Sequence, residues 1–402
     1  MRPLQLVPLL ALALPLNAQE IEDPGPYPVG FVDATFPATL GTAQGRIFYP
    51  ALSAGAGATP DPGSGPYPLV GFLHGWLGVP EIYSELSTHI ASWGFVVASI
   101  GTETGFGGTM QPEAQDTADM LNWLDAESDD AQSFYAGLVS DDPWSAAGHS
   151  MGGGALFYLI EDEPKVRTVV ALQPWKGGSL GGSAGGSANL STWDGDALIL
   201  AGSVDTTCPV ATMTFPYFQL CQETGRAVHV EVEGMGHLGP TDVPGFGEPM
   251  APDEQQRLHR RFVTGFLRAE VKGEEELYID LLGEGAAVEP VTLDARFADP
   301  LHWAAPSELS ASTSAIGLAG VPGDLAAAAF SLAPAAIPTA FGLLGIDPAQ
   351  GAVLYQLTVQ PDGVFEAPIP TPVGSVGVTI YTQAVVLGSG GGFTAVRPLV
   401  LP

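Results

Sequence analysis

Around residue 150 the chain has little freedom in what it can fold into. A small apolar run at 144–149 leads into Gly148-His149-Ser150-Met151-Gly152, and an apolar helical pattern begins at once. A G-x-S-x-G sequence at a strand-to-helix junction is a nucleophile elbow, a turn so sharp that a serine hydroxyl is left exposed at the sheet edge. The flanking glycines are needed because a Cβ at either position would clash inside the turn. The pattern is short and the chain holds 52 glycines, so the neighbouring segments have to supply the rest of the case.

Those segments alternate between strand and helix. Residues 68–73 form a short apolar run, and a helix starts at Pro80, a residue favoured in a first helical turn. Ile82, Leu86, Ile90 and Trp93 share one face of that helix, and Gly94 is a suitable stop. A Val-rich strand follows at 95–100, then a helix at 112–126 with Ala114, Ala118, Leu121 and Leu124 on one side. After the elbow come a helix at 151–160, strands at 168–172, 197–201 and 228–232, and helices at 210–223 and 252–269. Leu258, Phe262, Val263, Phe266 and Leu267 make the apolar stripe of the last. This spacing predicts a mostly parallel sheet with helices on both faces. Short strands at 29–35 and 46–49 and a polar loop at 55–65 precede it.

Near residue 270 the alternation stops. Residues 271–282 read as one more helical segment, and from about 286 Ala, Gly, Pro, Val and Leu dominate, with Arg296 and Arg397 the only basic residues. Strand-like runs recur at 315–319, 326–332, 352–359, 364–368 and 376–387, and Pro361-Asp362-Gly363 is a hairpin signal between two of them. A small antiparallel β-sandwich is expected. Its only histidine is His302, which points to an accessory module rather than a second reactive site. The expected division is a leader at 1–18, a strand–helix unit at 19–285 and a β-rich unit at 286–402.

In open α/β sheets the working residues lie just beyond the carboxyl ends of the strands. Four such loops carry chemistry here: His74-Gly75-Trp76-Leu77-Gly78, Ser150, Gly202-Ser203-Val204-Asp205, and Gly234-Met235-Gly236-His237-Leu238. The order Ser, Asp, His is the one that accompanies a nucleophile elbow. Ser150 needs a base near neutral pKa, a role that suits His237, and Asp205 would fix the tautomer of that base and stabilise its imidazolium. Backbone N–H groups of Met151 and of Trp76 or a neighbour are the expected oxyanion donors, and the rings of Trp76 and Trp175 are expected substrate walls. Asp205 also suits a helix N-cap. His149 and His74 read as packed side chains, and His229 lies within a strand, too far back to reach the loops. Glu103 and Asp125 are acids that do not follow the right strand.

Lys and Arg number 13 against 44 Asp and Glu, a net charge of −31. Such a surface repels nucleic acid and anionic membranes. Arg2, the apolar run at 4–16 and Leu16-Asn17-Ala18 have the form of an export signal with its cleavage site, so a secreted, periplasmic or cell-surface protein is expected. No other uncharged apolar stretch is long enough for a transmembrane span. In that setting Cys208 and Cys221 are expected to pair, which would pin the Asp205 loop to the following helix; two buried free thiols are the alternative. With no further Cys and no clustered His, neither a metal nor a cofactor is expected. The Gly-rich run at 177–186 reads as a flexible loop beside the cleft, either a plain linker or a mobile pocket wall.

With these residues in place, the stretch from about Tyr67 to Gly239 resembles secreted α/β-hydrolases of the dienelactone-hydrolase-like branch, which includes bacterial cutinases and polyester hydrolases. Gly148-His-Ser-Met-Gly-Gly153 is similar to their G-[WH]-S-M-G-G elbow, Gln173-Pro174-Trp175 stands where they carry a substrate-flanking tryptophan, and Gly75-Trp76 stands at their Gly-Tyr oxyanion pair. The resemblance implies an α/β-hydrolase fold, a triad of Ser150, Asp205 and His237, oxyanion donors at Trp76 and Met151, and hydrolysis of small-molecule, lipid or polymeric esters. The run 74–78, residues 84–98 and Gly236-His237-Leu238 also resemble plant-type chlorophyllases, which carry Arg where this chain has Met151. A chlorophyllase-like or platelet-activating-factor-type lipid esterase is therefore the alternative. A non-catalytic binding protein on a hydrolase scaffold is the alternative of another class.

Overall fold

The innermost strands are buried along their whole length, which is why they read as unbroken apolar runs. In the computed structural model, β4 (Leu69–Leu73), β5 (Val96–Ile100) and β6 (Trp144–His149) show no exposed or half-exposed residue. Strands of this kind belong in the middle of a parallel sheet with helices on either side. The structure describes residues 20–402 except 40, 178–189, 222–223, 244, 246, 308–309 and 389–390. The expected leader at 1–18 and nearly all of the Gly-rich run lie outside the described residues.

A ten-stranded mixed sheet organises the first part of the chain. It begins with β1 (Val29–Ala38), β2 (Gly41–Pro50) and the two-residue β3 (Gly55–Ala56). It continues through β4 to β6, β7 (Val166–Leu172), β8 (Asp196–Gly202), β9 (Arg226–Val232) and β10 (Val291–Phe297). The spatial order is β10-β9-β8-β7-β6-β4-β5-β2-β1-β3. Neighbours from β5 through β9 run parallel, while β2 joins β5, β1 joins β2 and β10 joins β9 antiparallel.

Alternate residues of each central strand enter opposite layers, as a period of two requires. Val169 and Ala171 of β7 pack with α2 (Met110–Asp129) and α3 (Met151–Asp162), through Leu121, Leu124, Leu156 and Leu159. Val170 and Leu172 join the other layer, with Ile90 of α1 (Ser84–Ser92) and Leu258, Phe262 and Phe266. Those last three lie on one helical run through Pro252–His259, Arg260–Thr264 and Gly265–Val271, which is the helix expected at 252–269. The segment expected as a helix at 271–282 is two short turns, Glu275–Leu277 and Tyr278–Leu281. Among the described residues no helix is long and apolar enough to cross a membrane.

Two features of the C-terminal part depart from expectation. Residues 291–297, assigned by composition to the β-rich unit, complete the large sheet as β10. The turn at Pro361-Asp362-Gly363 forms, with Gly363 N–H donating to Gln360 O and Gly363 at φ +79°, but it does not close a hairpin. β16 (Gly351–Thr358) pairs with β13 (Leu325–Ser331), and β17 (Val364–Pro370) pairs with β12 (Thr313–Ala319). The turn carries the chain between sheets because other strands use its carbonyls: Asp362 O accepts from Ala295 N–H at 2.7 Å and Gly363 O from Gly320 N–H at 3.0 Å. The additional sheets have the orders β11-β12-β17, β16-β13-β18-β19 and β14-β15, all antiparallel. β11 is Leu301–Pro306, β14 Pro334–Thr339, β15 Gly342–Ile346, β18 Thr379–Leu387 and β19 Arg397–Val400. Leu318 of β12 packs against Ala328, Ala384 and Val386, and Ile316 against Ile380 and Leu399.

Candidate active site

Ser150 occupies the turn between β6 and α3 with φ +53° and ψ −113°, a conformation that non-glycine residues adopt only under constraint. The constraint is visible on both sides. Ser150 N–H donates to Leu172 O at 3.0 Å, and Ser150 O accepts from Gly154 N–H at 3.0 Å and Trp175 N–H at 2.8 Å. A Cβ on Gly148 would lie 2.5 Å from Gly152 O, and one on Gly152 2.4 Å from Leu73 O. The glycine requirement read from the sequence is therefore a close approach of backbone to backbone.

His237, beyond β9, reaches Ser150 with its Nε2 at 2.9 Å from Oγ, and its Nδ1 lies 2.7 Å from Asp205 Oδ2, beyond β8. The carboxylate only accepts, so the ring proton is on Nδ1 and Nε2 is free to accept from the serine hydroxyl. Asp205 also accepts the amides of Thr207 and Cys208 on Oδ1, each at 2.8 Å. Oδ1 closes a turn ahead of the next helix, which starts only at Val210 behind Pro209, so Asp205 does not cap it, and Oδ2 is left to His237. Asp205 and Ser150 are buried, and the His237 side chain is 16% exposed, so one edge of its ring meets solvent. The acids Glu103 and Asp125 are occupied elsewhere, by Thr109 N–H and Lys165. His229 is buried within β9, 3.6 Å from Asp294.

The loop after β4 lies over the elbow. A Cβ on Gly75 would be 3.0 Å from His149 Nδ1 and 3.3 Å from Ser150 Cβ. Gly75 O accepts from Gly78 N–H at 2.7 Å, and Gly75 N–H donates to the Tyr83 hydroxyl at 2.9 Å. The Met151 amide opens α3, where the first N–H groups have no partner inside the helix. The Trp76 ring is half-exposed and packs edge-on against Phe106 with centroids 5.7 Å apart; Phe106 is 83% exposed. Phe106 was not singled out from the sequence, where it sits in an unpatterned Gly-rich stretch. Trp175 is half-buried against the α2–α3 layer, tied to the elbow through its N–H and to Tyr217 OH through its carbonyl.

His149 and Tyr83 connect these loops. His149 Nε2 lies 2.8 Å from His237 O, so it donates, and Nδ1 accepts from Tyr83 OH at 2.9 Å. The path runs from Gly75 N–H through Tyr83 and His149 to the backbone of His237, with each donor and acceptor fixed. Burial, then the neighbouring His237, push the His149 imidazole well below its usual range. A neutral ring is what this path requires.

The expected Cys208–Cys221 bridge is not formed; both cysteines are free and buried. The Cys221 thiol turns back on its own helix to Tyr217 O at 3.3 Å, and burial pushes it up to about 12. The Cys208 thiol faces Ser150 and is likewise raised by burial and by Asp205. Its sulfur, Asp205 and His237 place potential ligand atoms within 4.8 Å of one another. Asp205 and His237 already satisfy each other, however, and a protonated thiol is a poor ligand.

The sequence model of a family described as PETase, PET hydrolase-like, matches residues 18–245, which include all the residues of this site. Cutinase 2 of Thermobifida cellulosilytica is 28% identical over 217 residues, covering 54% of this chain and 73% of that protein. Cutinase cut1 of Thermobifida fusca is 28% identical over 217 residues, 54% of this chain and 60% of that one. A bis(hydroxyethyl) terephthalate hydrolase of Streptomyces coelicolor is also 28% identical over 217 residues, 54% of this chain and 62% of its own length.

Proposed function

The chain belongs to the PET hydrolase-like family, and from that premise we propose that it hydrolyses carboxylic esters, polyesters among them, through an acyl-enzyme on Ser150. The observation that carries this reading is the hydrogen-bonded series from Asp205 through His237 to Ser150 Oγ, at 2.7 and 2.9 Å. His237 Nε2 takes the hydroxyl proton as Oγ attacks the ester carbonyl. Asp205 stabilises the imidazolium formed, and the same ring then protonates the leaving alcohol. Water repeats the sequence on the acyl-enzyme. The Met151 and Trp76 amides receive the oxyanion, a contact whose loss typically costs about 3 kcal/mol of barrier.

Trp76 and Phe106 make an aromatic edge beside this loop, which suits aromatic or long-chain esters better than compact polar ones. Residues 4–16 support export, and the sheets beyond β10 support a sandwich-like accessory unit. The test is hydrolysis of a p-nitrophenyl acyl-ester series, amorphous polyester film and chlorophyll, with Ser150→Ala as control. Polyester release and p-nitrophenol release that vanish in S150A support the reading. Chlorophyll turnover without film hydrolysis moves the substrate to the chlorophyllase-like alternative. No ester turnover at all refutes the catalytic reading and leaves the binding-protein alternative.

A further inference from the structure

His74 and Glu113 form a buried pair that the acid–base series does not use. His74 lies at the end of β4 and Glu113 in the first turns of α2, both 0% exposed. Both ring nitrogens of His74 face carbonyl oxygens, Nδ1 at 2.8 Å from Gly75 O and Nε2 at 2.7 Å from Thr102 O. A carbonyl only accepts, and a neutral imidazole has a single N–H. Two contacts of this length therefore require both nitrogens to be protonated. A buried imidazolium in turn needs a counter-charge, and Glu113 Oε1 lies 3.7 Å from Nδ1. Neither Glu113 oxygen has a hydrogen-bond partner of normal geometry among the described residues, so its contact with the ring is one of charge, although the His74 amide faces the carboxyl. Burial leaves the His74 imidazole below its usual range and the Glu113 carboxyl well above its own, which Glu103 and Asp116 raise further. Against this, the two short carbonyl contacts, with Glu103, favour a charged ring.

We propose that His74, held as an imidazolium by Glu113, is a positioning residue that orients and polarises the Gly75–Trp76 peptide as an oxyanion donor. The carbonyl of Gly75 and the N–H of Trp76 belong to one planar unit. His74 and Gly78 hold its carbonyl end, so the direction of the Trp76 N–H is set from behind, and a cationic donor on the carbonyl strengthens that N–H as a donor in its turn. His74 O also accepts from Gly152 N–H at 3.0 Å, which fixes the same residue to the elbow. The oxyanion role rests on the serine-hydrolase reading; the charge state of the pair does not.

The test has two arms on the full chain. Histidine side-chain ¹H–¹⁵N NMR near pH 8 is expected to show two protonated nitrogens on His74 in the wild type and one in Glu113→Gln. In ester kinetics E113Q is expected to lower kcat about tenfold or more with KM within about twofold, and to weaken a boronic-acid transition-state analogue in parallel. Glu113→Asp, which keeps the charge, recovers part of the loss. If E113Q does not fold, His74→Gln carries the kinetic arm and the wild-type spectrum carries the charge arm. An unprotonated ring nitrogen in wild-type His74 overturns the proposal, as does an unchanged kcat and boronate affinity in a folded variant. A wild type without ester turnover removes the oxyanion role together with the hydrolase reading, and the spectrum then decides the ion pair separately.

Discussion

Replacing Tyr83 by Phe tests whether the loops of the site are coupled or merely adjacent. The hydroxyl accepts from Gly75 N–H and donates to His149 Nδ1, both at 2.9 Å, and Tyr83 is 1% exposed. Y83F keeps the ring, its packing on Phe72 and its volume, and it leaves one buried donor and one buried acceptor without partners. Each unsatisfied neutral group costs about 1–3 kcal/mol, and slight closure of the site recovers part of that. A loss of about 2–4 kcal/mol in unfolding free energy is expected. Because Gly75 opens the peptide that bears Trp76, kcat should fall about tenfold while KM stays within about twofold. Chemical denaturation and p-nitrophenyl ester kinetics on Y83F, His149→Phe and the double variant close a double-mutant cycle. Members of one hydrogen-bonded path should show a coupling of about 1 kcal/mol or more. Effects that add to within about 0.5 kcal/mol, with kcat unchanged in Y83F, would refute the idea that this path ties the loop at 74–78 to His237.

Three further outcomes follow from particular groups. Asp205→Asn reverses the polarity at Nδ1 and selects the wrong tautomer of His237, so kcat should fall by roughly 10³–10⁴ with the fold retained by circular dichroism. Burial draws His89, His259 and His302 down to about 4. The unfolded chain takes up protons near pH 6.5 that the folded chain refuses, so this stability is complete above that pH and is lost as the pH falls toward 4. The loss approaches about 3 kcal/mol per ring, and midpoints of unfolding measured across that window should drop accordingly. Thiol titration should find no reactive cysteine in the folded protein and two after denaturation without reductant, and reductant should leave the melting temperature unchanged.

How much of this was legible in the sequence depended on how each signal arises. β4, β5 and β6 announced themselves because every residue on them is buried. The ends of β6, β8 and β9 then carried Ser150, Asp205 and His237 in the order that a parallel sheet brings together. β10 carries Asp294 and Arg296 on an edge strand, so it lacks the unbroken apolar run that marked the central strands, although its hydrogen bonds belong to the same sheet. At Pro361-Asp362-Gly363 the local signal for a turn was sound, but which strand pairs with which is decided by distant partners such as Ala295. Tyr83 and His149 were invisible as a pair for a similar reason. An aromatic residue at the entry to an amphipathic helix looks like core, and only the fold shows that its hydroxyl spans from residue 75 to residue 149. The cysteine pairing was drawn from spacing and compartment, neither of which determines where a thiol points.

The site also carries strain that no composition reveals. The non-glycine residues in the left-handed region, among the described residues, are Leu77, Glu103, Ser150 and Gln173, at φ +63°, +57°, +53° and +40°. They follow β4, β5, β6 and β7 in turn, at the same end of the sheet. Such conformations cost of order 1 kcal/mol or more each and persist where surrounding bonds over-determine them. Leu77 separates the two possible uses of this strain, because it is 41% exposed and contributes little burial. Leu77→Gly relieves about 1 kcal/mol of backbone strain and gives back roughly 0.5–1 kcal/mol through the freer unfolded chain. Its net effect on stability should therefore be close to zero. Its effect on turnover should not, because the same residue closes the loop in which Gly78 N–H holds Gly75 O. A several-fold fall in kcat at unchanged melting temperature is the expected result. An L77G variant that gains stability and keeps full activity would show the strain to be incidental to the chemistry rather than part of what aims the Trp76 amide.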